Sequence, residues 1–201
     1  MRQEKFITLT IVTGFTVQFL CYVIALLFFP PDFSGEFPAY SQESNLIVEF
    51  GLALNMASAT VMGIKLGDER KILAAAGFTM FAIAIGLSMS SLFEVFDVID
   101  KASFEKSYFI NTCSNFLYVP AILLIATFDG FKKWIHYVSI FTALVIFTSG
   151  VLFMFYYRNY IVLDMFTMAG YLLLSFTQLM WALNVYTNYR LRVGNSSVME
   201  S

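Results

Sequence analysis

Residues 6–29 read FITLTIVTGFTVQFLCYVIALLFF, a run with no charged side chain that stops at Pro30-Pro31. As a helix rising 1.5 Å per residue it covers about 36 Å, enough for a hydrocarbon core of roughly 30 Å. The two prolines end it, because neither can continue the hydrogen-bond ladder. The short head Met1 to Lys5 gives the run a positive flank, as in a signal peptide. The run is far longer than a signal h-region and lacks a small-x-small cleavage site, so it reads as a retained span.

Five more stretches follow the same pattern. The expected spans are 6–29, 45–67, 72–96, 107–128, 135–157 and 162–189, with a short polar tail at 190–201. Pro120 falls inside the fourth, where a packed bundle tolerates a kink. Composition agrees: of 201 residues 59% are hydrophobic and only 13% charged, and mean hydropathy is +0.73, against about 45–50% apolar and about 25% charged in soluble domains. The fold class is therefore all-α: a polytopic membrane protein, one six-helix transmembrane bundle with no separate soluble domain.

Charge sets the expected orientation. With the amino terminus inside, Arg2, Lys5, Lys65, Arg70, Lys71, Lys132, Lys133, Arg190 and Arg192 fall on the cytoplasmic side. Only Lys101, Lys106 and Arg158 fall outside. In short loops such an excess marks the inner face, so both termini are expected in the cytoplasm. A cytoplasmic membrane is the expected location. The basic residues are few and sit at helix ends, which gives nucleic acid no footprint.

Polar residues at membrane depth carry the functional information, since each is costly in lipid and belongs inside the bundle. At helical spacing, Gly14, Gln18, Tyr22 and Ala25 share a face, as do Gly51, Asn55, Ala59 and Gly63. Gly86, Ser90, Glu94 and Asp97 form a third stripe, and Asn111, Asn115 and Tyr118 a fourth. Asp164, Thr167, Tyr171, Ser175 and Gln178 form the last. Gln18, Asn55 and Gln178 read as hydrogen-bonded packing between helices, and the small residues as close-approach positions.

The acidic residues suggest more. Glu49, Glu94 and Asp164, with Asn111, Asn115 and Tyr118, are the candidate residues for binding a cation or other small ligand. Solvated helix ends are the plain reading; the functional one is an outer vestibule, which Asp32, Glu36 and Glu43 make strongly acidic. Glu49, the deepest carboxylate, is its expected centre, with Asn111 and Asn115 as partners and Lys101 or Lys106 within reach.

Other chemistry finds little footing. Cys21 and Cys113 are too far apart in sequence for a metal or redox motif and are expected as buried thiols, at depths similar enough to permit a disulfide. His136 is the only histidine and is expected at the interface; it cannot furnish a His-rich metal or bis-histidine haem site. No lysine lies deep in a helix, phosphate loops and nucleophile elbows are absent, and no cofactor is implied.

Pro38-Ala39-Tyr40-Ser41 with Ser44, then Asn55 and Gly63, then Phe116 to Ala121 and Trp181, resemble an uncharacterised bacterial family of small six-helix membrane proteins, a domain of unknown function. That resemblance implies a fold and a membrane location, and no activity. The chain departs from the family where a histidine is expected near the start of the fourth helix: Ser107-Tyr108 stand there. Three functions remain: binding or transport of a small cationic or polar solute from the outer side, an accessory or scaffold subunit, and an intramembrane enzyme acting on lipid.

Overall fold

The computed structural model describes residues 2–34, 38–93, 101–156 and 160–199. They form six helices: α1 (Arg2–Phe28), α2 (Gln42–Asp68), α3 (Ile72–Phe93), α4 (Lys101–Ile125), α5 (Lys133–Tyr156) and α6 (Tyr160–Met199). All six are long and apolar enough to span a membrane. Several boundaries differ from expectation. The first, second and fourth helices start three or more residues before their apolar runs, and α6 continues through most of the expected polar tail. Polar residues with good helix propensity extend a helix without being apolar, so hydropathy marks the span and underestimates the helix.

Each helix packs against its neighbours in sequence, and α6 closes back onto α1. The result is a ring of six with a shared interior. Hydrogen bonds tie each end together. Tyr40, before α2, and Tyr108, on α4, both donate to Asp164 near the start of α6. At the opposite end, which carries both termini, Lys71 pairs with Asp129 at 2.6 Å, and Asn184 and Asn188 donate to the Gly130 carbonyl.

Two glycines allow the closest approaches. A Cβ on Gly14 would lie 2.5 Å from the Leu54 carbonyl oxygen, and one on Gly77 would lie 2.8 Å from that of Ala121. Glycine thus sets the α1–α2 and α3–α4 contacts, and Ser58 reinforces the first by donating to the Thr10 carbonyl at 2.9 Å. Gly86, expected in the same role, has only the Met56 sulfur within 4 Å of a Cβ.

The interior is divided along its length. The half nearer the termini is filled by an aromatic cluster. Trp181 meets Phe78 and Phe81 edge-on, each at 5.6 Å, and stacks on Phe131 at 6.2 Å. Its indole nitrogen donates to Ser139 at 3.0 Å, which satisfies the one polar atom of a fully buried side chain. The other half holds a cavity.

Candidate functional site

The cavity has a volume of about 140 Å³, roughly ten times the minimum of about 10–15 Å³ that admits one water. Phe29, Pro31 and Tyr40 line one end of it. Those residues belong to the segment between α1 and α2, which is folded back by paired hydrogen bonds between Asp32 and Ala39. Asp32 also accepts from the Ser34 backbone N–H at 2.9 Å, which holds its carboxyl below the usual range.

Three polar tiers descend from that segment. The first is Asp164, with one oxygen facing each of the two tyrosine hydroxyls. Four lone-pair sites on a carboxylate exceed two donors, so acceptor capacity is left over. Asp164 is the only carboxylate in the lining, which contains no Lys, Arg or His among the described residues.

The second tier is centred on Tyr171. Its hydroxyl lies 2.6 Å from Asn111 Oδ1 and 2.8 Å from Asn115 Oδ1. One hydroxyl proton serves one of these; the other contact closes when that amide turns its NH2 toward the phenol oxygen. Ser88 links the tier to Ser114 at 3.0 Å and to Tyr118 at 3.3 Å. The third tier is the floor, where Asn55 Nδ2 donates to Gln178 Oε1 at 2.9 Å and Gln18 stands beside them. Gln18 Oε1 and Asn55 Oδ1 are buried there without a partner. Leu52, Met168 and Leu174 supply apolar wall between the tiers.

Most of the expected residues meet here: Asp164, Asn111 and Tyr118 line the cavity with Gln18, Asn55 and Gln178, and Asn115 stands behind the lining in contact with Tyr171. The expected centre does not. Glu49 is buried but outside the lining, its Oε1 has no partner, and Asn111 and Asn115 engage Tyr171 instead. The reason is rotational. Asn45, Val48, Leu52 and Asn55 form the cavity face of α2. Glu49 shares instead the direction of Met56 and Gly63, which approach Gly86 and Thr79 of α3. Glu94 and Asp97 lie outside the described residues, as does Glu36.

The described part of the third stripe, Gly86 and Ser90, lies off the cavity. Ser90 is exposed and returns its hydroxyl to the Gly86 carbonyl, whereas Ser88 and Ser91 face the cavity. The spacing that finds them is in the sequence: Phe78, Phe81, Ala84, Ile85, Ser88 and Ser91 repeat at helical period and are all buried. Tyr40, Ser107 and Tyr108 were also missed as site residues; no periodic signal marks Tyr40, which precedes its helix.

Cys113 is exposed on the outer face of α4, correcting its expected burial, while Cys21 is buried; both thiols are free. Because α1 and α4 are not neighbours in the ring, similar depth alone cannot join them. His136 is half-buried, its ring nitrogens 2.5 Å from the Ala126 and 3.1 Å from the Phe131 carbonyl oxygens. It secures the α4–α5 turn.

Comparison with protein-family models, with curated proteins and with solved structures finds no match to the chain. The resemblance noted from Pro38–Ser41 and Phe116–Ala121 therefore gains no support from them.

Proposed function

We propose that the protein is an integral membrane protein with both termini in the cytoplasm, whose cavity binds a small solute carrying a single positive charge, taken from the outer side. The observation that carries this reading is the isolated acid: Asp164 lies in the cavity with no basic side chain lining it among the described residues. A buried carboxylate without a cationic neighbour favours a cationic partner, since uncompensated charge in a low-dielectric interior is expensive. Large apolar side chains on the outward faces, such as Ile83, Phe109 and Leu144, support burial in lipid, where they cost nothing; in water they would form an aggregation-prone patch. The aromatic cluster blocks the cavity toward the termini, which fits access from one side.

Calorimetric titration of the purified full-length protein with short primary alkylamines tests the reading. Asp164→Asn keeps shape and should weaken binding about tenfold or more, the scale of a lost hydrogen bond to a charged group. Equal affinity in wild type and variant would remove Asp164 as the anchor. Reporter fusions at Lys71 and Lys133 reading external would overturn the orientation.

The scaffold reading has one observation in its favour. The α5–α6 seam is laced by side-chain hydrogen bonds, Ser149–Thr167 at 2.8 Å, Thr142–Thr177 at 2.7 Å and Trp181–Ser139, which hold the two helices together. On that reading no amine binds at all.

A further inference from the structure

We infer that the cavity floor is a subsite for a neutral hydrogen-bond donor, so that the ligand is a singly charged amine carrying a hydroxyl or amide N–H at its far end. The inference rests on the reading of Asp164 as the cation anchor and adds the second point of recognition.

Two carbonyl oxygens carry the argument. Gln18 is 3% exposed and Asn55 1% exposed, both line the cavity, and Gln18 Oε1 and Asn55 Oδ1 have no hydrogen-bond partner. Buried polar atoms are nearly always paired, and an orphan is costly in the protein interior. Asn55 cannot satisfy itself: its Nδ2 is committed to Gln178, leaving the oxygen free. Gln18 Oε1 lies against α2 at Gly51, where a Cβ would be 2.5 Å from it and no side chain stands to pair with it. Two acceptors waiting on one floor ask for a donor from the cavity.

That donor is neutral. Among the described residues the only carboxylate in the lining is Asp164, and Gln178 lies fourteen positions further along α6, about 21 Å along the axis. A second positive charge at the floor would be buried without a counter-ion. A hydroxyl or amide N–H pairs with amide oxygens at far lower desolvation cost, and the apolar wall at Leu52 and Leu174 suits a hydrocarbon spacer between the two ends.

The test uses the full-length protein in lipid nanodiscs, titrated with straight-chain alkylamines from hexyl to dodecyl and with the ω-amino alcohols of matching length. At lengths that reach the floor, the amino alcohol should bind about fivefold tighter than its matched amine, the yield of roughly one net hydrogen bond; shorter pairs should not differ. In Gln18→Met the ratio should fall toward one, and because it compares two ligands in one protein, partitioning into lipid cancels between wild type and variant. Matched pairs that bind equally at every length overturn the subsite, show that the floor holds water and leave Asp164 in place. A ratio retained in both Gln18→Met and Asn55→Leu also overturns it. If no amine binds, the Asp164 reading falls and this inference with it. Should the variants fail to fold, the wild-type length series decides alone.

Discussion

At the residue scale, the balance at Asp164 decides how the site is read. Tyr40 and Tyr108 hold its two oxygens from two different elements, so one carboxylate both latches Tyr40, just before α2, onto α6 and faces the cavity. Tyr40→Phe removes a single hydroxyl from that latch. It should leave the protein folded and speed ligand entry, measured as a higher association rate for an alkylamine. Glu49 offers the contrasting case. Because it lies off the cavity face of α2, Glu49→Gln should leave amine affinity within about twofold at every pH from 5 to 8, whereas Asp164→Asn should not. A Glu49→Gln variant that loses binding would place the anchor on the α2–α3 side.

The α2–α3 turn shows how one element ends. Arg70 N–H bonds the Gly67 carbonyl and Lys71 N–H the Leu66 carbonyl, the paired bonds of a helix stop whose next residue turns left-handed. That residue is Arg70, with φ of 60°, where a side chain crowds the backbone and glycine does not. Arg70→Gly should stabilise the fold by roughly 1 kcal/mol, seen as a raised thermal midpoint. The neighbouring Lys71 holds the Asp129 carboxyl below its ordinary range through their hydrogen bond. A depressed carboxyl contributes stability that is complete above its unfolded value of about 3.9 and lost as pH falls through the folded one. Asp129→Asn should therefore lower the midpoint slightly at neutral pH and not at all near pH 2, with added salt narrowing the difference. At the α3–α4 contact, Gly77→Leu should prevent folding, since even a Cβ there meets backbone at 2.8 Å.

At the scale of the whole molecule, the ring separates a filled half from an open one, and Trp181 is the boundary. Three rings pack edge-on and a fourth face-to-face around one indole and fill that half of the interior. Trp181→Ala should cost about 3–5 kcal/mol, as for large buried aromatics, and should extend the cavity toward the termini. A thiol reagent reaching Ala182→Cys from the termini side only in the Trp181→Ala background would check the opening.

What the sequence determined by itself is the class of architecture: six helices, their order and their approximate ends. These follow from hydropathy and proline, which act locally along the chain. The five polar stripes were also legible, and four contribute to the cavity, because helical period fixes which residues share a face. Only the tertiary structure decided which way each face turns. A helix at 100° per residue converts a one-position error into a different neighbour, which puts the third stripe on Ser90, and depth, the ground for expecting Glu49 at the centre, carries no information about the direction a residue faces. Tyr40 and Tyr108 reach Asp164 across separations of 124 and 56 residues, a pairing that no local pattern encodes. The division of the interior likewise depends on the closure of α6 onto α1, which brings Trp181 among Phe15, Phe78 and Phe81 and leaves the amides of Gln18 and Asn55 as the floor above them.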